Sequence, residues 1–347
     1  MIERRATVSG LVISVLAGTL AAQGLEPPAG GFKAGPVKVN GLLQGWFVSD
    51  QKPGARDGFS VRRAEIKLSG QVHPQVDWFV MIDPAKPLNI KTSAQGGSLT
   101  AAQADPKTMI LKDAAIVVSG WGRLEGASLK VGQFKPPFGW EGLDSSAQLE
   151  TVERAAQSAV LGWSDYRDIG ALAAYRRGIW AVSLGAFNGE GPNSLDANRD
   201  KDAACKVEAE PLAGLHVGAS AYHGHGKGAR FLNERWGLEA SWTRPPWSLK
   251  GEYAAGHGAT SEAGSPGRRT AYGQAGWFFH PRLQAVARFD WWEPDTAAGG
   301  DIANETTAGL NWLIDGHRIK AQANYVVRQA ERAKGYGILR IALQAGF

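Results

Sequence analysis

The chain has 347 residues, with 38 Lys and Arg against 33 Asp and Glu, and a formal net charge of +5. That surplus is too small to argue for nucleic acid as a partner. The one cysteine, Cys205, excludes an intrachain disulfide and a cysteine-built metal site.

The first 21 residues read as a secretory signal peptide. Arg4 and Arg5 supply the charge, Val8 to Leu20 the apolar run, and Thr19-Leu20-Ala21 the small residues before a cut. The run falls short of the ~20 apolar residues that span a bilayer. No cysteine stands near the cut, which argues against a lipoprotein. Residues 22–36, rich in Gly and Pro, form a flexible lead-in. Residues 37–347 are assigned to one β-barrel domain.

From Val37 onward the sequence has a period of two. Lys38 to Val48 sets Val39, Leu43 and Phe47 on one face against Lys38, Asn40 and Gln44. Phe59 to Ser69 sets Ala64, Ile66 and Leu68 against Arg63, Glu65, Lys67 and Ser69. Asp77 to Asp83 follows, then Pro84 to Lys107 without a clear pattern. Ile110 to Ser119 and Ala127 to Phe134 are strands. The strand pattern then fails until Asp168. Lys135-Pro136-Pro137-Phe138-Gly139 ends the ladder, because consecutive prolines lack the N–H donors it needs. A connection that long is usually functional or disordered. This one carries Trp140, Leu143, Leu149, Val152, Leu161 and Trp163, too apolar for disorder, so it folds back onto something.

Strands resume at Ile169 to Tyr175, Ile179 to Phe187, Ala203 to Glu210, Leu215 to Tyr222, Arg235 to Trp242, Trp247 to Ala255 and Ala271 to Phe279. The last four are Leu283 to Trp292, Thr306 to Leu313, Arg318 to Arg328 and Ile338 to Phe347. About sixteen strands of roughly ten residues fit a transmembrane antiparallel barrel, in an all-β fold. Short turns such as Arg177-Gly178 and His280-Pro281 alternate with longer loops at Asn188 to Asp202, His223 to Asn233, His257 to Arg269, Pro294 to Asn304 and Gln329 to Gly335. A barrel with one tight end and one looped end gives that alternation. Aromatics gather at strand ends, among them Trp236, Trp247, Trp277, Trp291, Trp292 and Trp312, as an interfacial girdle requires. In the last strand Leu339, Ile341, Leu343, Ala345 and Phe347 share one face, which suits lipid.

The segment Val131 to Arg154 is similar to the G-Q-F-K-x-P-F-G-x-E motif of the phosphate-selective porin O and P family. A Ser145-Ser146 pair and a Glu153-Arg154 pair follow it. Arg62-Arg63, Phe187-Asn188-Gly189 and Gly309-Leu310-Asn311 also resemble family positions. The resemblance covers nearly all of the mature chain. It implies a bacterial outer-membrane porin, a homotrimer of sixteen-stranded barrels whose third external loop folds inward as a constriction. It also implies passive passage of small anions such as phosphate along arginines and lysines, in contact with outer-membrane lipid and without a cofactor.

With the apolar faces toward lipid, the opposite faces line a lumen. Its cations are Arg63, Lys67, Lys130, Arg235, Lys250, Arg282, Arg288, Lys320, Arg328 and Arg340. Its anions are Glu65, Glu208, Glu210, Glu239, Glu252 and Asp290. Rings of Arg or Lys favour anions. The pore or constriction residues expected from these patterns are Arg62, Arg63, Lys130, Lys135, Arg154, Arg288 and Lys320. Lys135 and Arg154 bracket the long loop. The plainer reading is that lumen charges neutralise each other, and Arg63 with Glu65, and Arg288 with Asp290, are spaced to do so. His223-Gly224-His225 lacks a third ligand nearby, so no metal site is expected there. Cys205 shares an apolar, lipid-facing side with Ala203 and Val207. No Gly-Xaa-Ser-Xaa-Gly elbow appears, and no enzyme activity is expected. A general or carbohydrate-permeable porin, an outer-membrane barrel enzyme and a secreted carbohydrate-binding β-protein are the alternatives.

Overall fold

The computed structural model describes residues 35–86, 90–95, 98–104, 110–121, 124–224, 232–258 and 267–347. The expected leader (1–21), nearly all of the lead-in (22–36), most of the His223 to Asn233 loop with His225, and the middle of the His257 to Arg269 loop lie outside them.

Among the described residues the chain forms eighteen strands and one short helix. They are β1 (Lys38–Asp50), β2 (Gly58–His73), β3 (Val76–Ile82), β4 (Ile90–Gln95), β5 (Ser98–Ala104), β6 (Leu111–Trp121), β7 (Leu124–Phe134), α1 (Ala156–Val160), β8 (Asp168–Arg177), β9 (Trp180–Phe187) and β10 (Asp202–Leu212). Then come β11 (Leu215–His223), β12 (Leu232–Arg244), β13 (Trp247–Gly258), β14 (Gly267–His280), β15 (Leu283–Glu293), β16 (Ala303–His317), β17 (Ile319–Ala330) and β18 (Ala333–Gly346). β4 and β5 pair as a separate hairpin within the Pro84 to Lys107 segment that shows no clear pattern in sequence. The other sixteen close into an antiparallel barrel, with β1 against β18 from Leu42↔Gly346 to Asp50↔Ile338. Closure leaves no strand edge unpaired, which a hydrocarbon surrounding demands.

The period-two pattern becomes an inside and an outside. Leu43, Val131 and Leu343 are 51%, 50% and 60% exposed, while Gln44, Arg63 and Lys320 are 4%, 2% and 0% exposed. A soluble sheet hides its apolar face; this one displays it, as a lipid-facing wall does. Cys205 is exposed on that outer face. At one end the strands are joined by connections of no more than two residues, from His73–Val76 to His317–Ile319. The other end carries the long connections, of which 135–167 is the third in chain order.

Three details differ from the sequence reading. The expected long loop Gln329 to Gly335 is a two-residue turn, because the ladder runs on past Arg328↔Tyr336 to Ala330↔Ala333. Trp292 is 9% exposed and faces inward, since its neighbour Trp291 takes the other side of the pleat. Arg282 lies in the turn between β14 and β15 and is exposed, so it does not line the lumen.

A bulge between β1 and β2 sets the direction of two arginines. Pairing jumps from Gln44↔Arg63 to Gly45↔Val61, which leaves Arg62 without a cross-strand partner. Consecutive residues then face the same way. Arg62 and Arg63 both stand over the ring of the inward-facing Trp46, at 5.1 and 5.9 Å.

Candidate functional site

The segment 135–167 leaves β7 at its two prolines and runs along the inward faces of the strands. Its first leg is fixed at Gly139 to Glu141. Lys206 donates to the Gly139 carbonyl at 2.9 Å, and the Gly139 N–H donates to Ser220 Oγ at 3.0 Å. The Trp140 and Glu141 N–H groups both donate to the Glu252 carboxylate, the latter at 3.0 Å. Gly139 has φ +64°, and a Cβ there would meet Glu252 Oε1 at 2.7 Å, so a side chain would disrupt this junction.

The middle leg crosses β18, β17, β16 and β15. Gln344 holds the Ala147 carbonyl at 3.1 Å, Lys320 the Leu149 carbonyl at 2.6 Å, and Asn311 the Glu150 carbonyl at 2.7 Å. The Val152 N–H donates to Asn324 Oδ1 at 2.6 Å. Arg288 donates to Thr151 Oγ1 and to the Glu153 and Arg154 carbonyls at 2.5, 2.9 and 3.2 Å, and to Asp290 at 2.8 Å. The Glu150 carboxylate accepts from Ser248, Gln274 and Gln284 at 2.6, 2.7 and 2.7 Å. These wall side chains thereby satisfy loop backbone groups that lack a ladder.

Two apolar contacts complete the docking. Phe138, Leu161 and Trp163 pack with Phe134, Leu172, Phe187 and Tyr222, and Val152 packs with Trp46 and Ala342. Val152, Leu161 and Trp163, three of the apolar residues that set this segment apart in sequence, seat it together with Phe138.

Toward β2 and β6 the contacts are ion pairs instead: Arg62–Glu153 at 3.0 Å, Lys112–Asp165 at 2.9 Å and Arg167–Asp113 at 3.0 Å. Burial opposes ionisation of Asp165, but Arg167, Lys112 and Lys135 outweigh it and hold the carboxyl well below its usual range. On this side a cavity of about 380 Å³ is lined by Arg62, Arg63, Lys86, Ser164, Asp165 and Tyr166, with Gly162 and Pro192. Burial, and then the charge of Arg62, lower the pKa of Lys86. Among the described residues Lys86, Lys67 and Lys130 enter no ion pair within 4 Å. Lys67 and Lys130 lie 4.8 and 6.0 Å from the ring of Phe79, and Lys130 lies 5.0 Å from that of Phe134.

The seven residues expected from the sequence therefore separate into two groups. Arg62 and Arg63 stand together at the cavity, and Lys130 faces the lumen on β7, three strands along the wall from β2. Arg63 is tied to Gln44 at 2.7 Å and lies 3.9 Å from Glu65, the spacing-derived pair. Lys135, Arg154, Arg288 and Lys320 are instead bound to carbonyls of the loop. Lys135 donates to those of Gly142, Leu143 and Asp144 at 2.7, 3.4 and 3.2 Å. Burial, and then Arg154 and Arg167, lower its pKa to about 7. Arg154 donates to the Glu141 and Asp144 carbonyls and to Ser146 Oγ. Arg288 pairs with Asp290, as their spacing suggested.

Lys86 and the anchoring contacts of Glu150 and Glu252 escape sequence reasoning. Lys86 belongs to a stretch without strand pattern, and the two acids look like any lumen charge. So does Asn193 in the next loop, whose N–H donates to Gln133 Oε1 at 2.6 Å while its Oδ1 accepts from Gln133 Nε2 at 3.1 Å.

Comparison with known proteins agrees with this architecture. Residues 43–230 and 225–336 match the family described as phosphate-selective porin O and P. No curated protein matches the chain in sequence. Among solved structures it resembles an anion-selective porin from Comamonas acidovorans (TM-score 0.64, 11% identity, covering 90% of this chain and 99% of that one). It also resembles Salmonella typhi OmpF in complex with daunomycin (TM-score 0.61, 12% identity, 90% and 97% covered). A third is the trimer form of Vibrio cholerae OmpT (TM-score 0.55, 12% identity, 91% and 100% covered).

Proposed function

Because the chain belongs to the phosphate-selective porin O and P family and forms an outer-membrane porin barrel, we propose that small anions diffuse through it along the arc β2–β3–β6–β7, past Arg62, Arg63 and Lys86. The family and fold are those of a channel, not an enzyme. The observation that carries the anion reading is the cavity beside the docked loop, where three cations meet and one, Lys86, has no ion-pair partner among the described residues. Positive charge at a narrow, low-dielectric passage acts more strongly on a permeating ion than the same charge in open water. Lys67 and Lys130 on the same arc extend the path with ammonium groups held against aromatic rings. The likeness to the anion-selective porin from Comamonas acidovorans supports the same preference.

In this reading the 135–167 segment is the constriction. It spans the lumen from β7–β9 to β15–β18 and β1, is tied by ion pairs to Arg62 of β2 and to Lys112 and Asp113 of β6, and leaves the space beside Lys86, Lys67 and Lys130 for transport. Lys135, Arg154, Arg288 and Lys320 brace it and act on selectivity through its position. The exposed apolar belt contacts outer-membrane lipid, residues 1–21 are removed on export, and the barrels assemble as trimers, as in the Vibrio cholerae structure. Zero-current potentials across a KCl gradient in a planar bilayer test the central point. Anion selectivity that falls in Lys86→Ala supports it; cation selectivity of the wild-type channel overturns it.

A further inference from the structure

On the inner wall, near the end with short turns, three adjacent strands bring together Glu208 of β10, His216 of β11 and Glu239 of β12. Gly218 of β11 pairs with Glu208 on one side and Glu239 on the other. Its missing side chain makes room between the acids: a Cβ at 218 would stand 2.5 Å from Glu239 Oε1. His216, two residues away on the same face, places Nε2 3.8 Å from Glu208 Oε1 and 3.5 Å from Glu239 Oε1. Donor atoms of the three residues all lie within 4.8 Å of one another. Ligands of a tetrahedral zinc ion, bonded at 2.0–2.1 Å, stand about 3.3 Å apart.

Lys206 already brings one positive charge here. Its Nζ lies 3.1 Å from Glu208 and 2.7 Å from Glu239, and donates to the Gly139 carbonyl at 2.9 Å. The ammonium balances charge but does not satisfy the acceptors. Glu239 is 5% exposed and His216 9%, yet among the described residues neither Glu239 oxygen nor His216 Nε2 has a hydrogen-bond partner. The ammonium is close to Glu239 without being aimed along a hydrogen bond. Buried polar atoms without partners are costly, and two of them facing each other at 3.5 Å, His216 Nε2 and Glu239 Oε1, with Glu208 Oε1 beside them, suit a cation that bonds in all directions.

We propose that Glu208, His216 and Glu239 bind a first-row divalent cation of the zinc type, with Lys206 as the internal cation it displaces. One imidazole nitrogen and two carboxylates suit such an ion, with the fourth position left to water. Glu208, a quarter of whose side chain is exposed, forms the entry from the lumen. The ring of Trp140, 4.3 Å from that of His216, fixes the imidazole. When the ion enters, Lys206 moves toward the Gly139 carbonyl it already holds, so the site is coupled to the root of the docked loop. This inference does not rest on the anion reading.

The test uses the full, untagged, folded chain in detergent, titrated with Zn²⁺ by calorimetry and with Co²⁺ by absorption. The expected result is one ion per chain, a tetrahedral nitrogen–oxygen Co²⁺ spectrum, and binding weakened at least about tenfold in both His216→Gln and Glu239→Gln. Lys206→Met tightens binding, because no ammonium must be displaced. Absence of binding to the wild-type chain overturns the proposal, as does binding that His216→Gln leaves unchanged. Should that variant not fold, the wild-type Co²⁺ spectrum decides, and an octahedral spectrum counts against the site.

Discussion

Arg288→Met is the perturbation that most directly separates a brace from a filter. In the wild-type chain the guanidinium is 2% exposed and joins Asp290 of its own strand to Thr151, Glu153 and Arg154 of the loop. Each hydrogen bond from a charged donor is worth about 1.5–3 kcal/mol, and these are not additive. The substitution also strands Asp290, which is 0% exposed and retains only the Ala156 N–H at 2.9 Å. Breaking one half of a buried ion pair costs about 3–5 kcal/mol. Taking ~4 kcal/mol, local opening of the loop around 150–156 becomes roughly a thousandfold more frequent. Hydrogen exchange of a peptide spanning 147–156 reads this directly, and single-channel current becomes noisier. The double variant Arg288→Met/Asp290→Asn regains part of the loss by removing the stranded charge. Unchanged exchange in Arg288→Met would refute the bracing role and return Arg288 to the list of pore charges.

Further outcomes follow from other contacts. Asp165→Asn leaves Lys112 and Arg167 without their shared carboxylate and destabilises the fold by about 3 kcal/mol, at the low end for buried pairs because 21% of the Asp165 side chain is exposed. Its folded-state pKa is depressed, so its contribution is complete above the unfolded value near ~3.9 and fades as pH falls through the folded value. The gap in thermal midpoint between wild type and Asp165→Asn should hold from pH 7 to about 5 and narrow only below ~4; a gap that closes between pH 7 and 5 contradicts the assignment. Cys205, the only cysteine, should react in proteoliposomes with a lipid-soluble maleimide and resist a sulfonated one, since it faces outward on the wall. Fast labelling by both reagents would place it in water.

Much of the fold is legible in the sequence because a barrel wall repeats a simple rule. Leu339 to Phe347 alternates apolar and polar residues, and each later register pair preserves that alternation. The loop is legible too, since Pro136 and Pro137 cannot continue a ladder and Trp163, Leu161 and Phe138 cannot stay in water. What the residue types do not reveal is which lumen charges are already spent. A lysine that clamps a carbonyl, as Lys320 does with Leu149, has the same neighbours in sequence as one that faces the pore. The inward turn of both Arg62 and Arg63 depends on a bulge, which a strict period of two assigns to opposite faces. Lys86 is hidden because it follows the end of β3 in a stretch with no pattern. The acid–glycine–acid row at Glu208, Gly218 and Glu239 exists only across three strands and has no trace along any one of them.

In the proposed function anions follow the arc beside the docked loop, while Lys135 and Arg154 of the loop and Arg288 and Lys320 of the wall act as braces. Zero-current potentials of Lys86→Ala and Lys320→Ala channels in a KCl gradient test it most directly. Lys86 lines the cavity without an ion pair among the described residues, whereas Lys320 is 0% exposed and bound to the Leu149 carbonyl. The wild-type channel should be anion-selective, with a clear loss of that preference in Lys86→Ala and a smaller one in Lys320→Ala. The difference should shrink in 1 M salt, where the Debye length falls to about 3 Å. Equal losses in the two variants, or a wild-type channel that prefers cations, would contradict it.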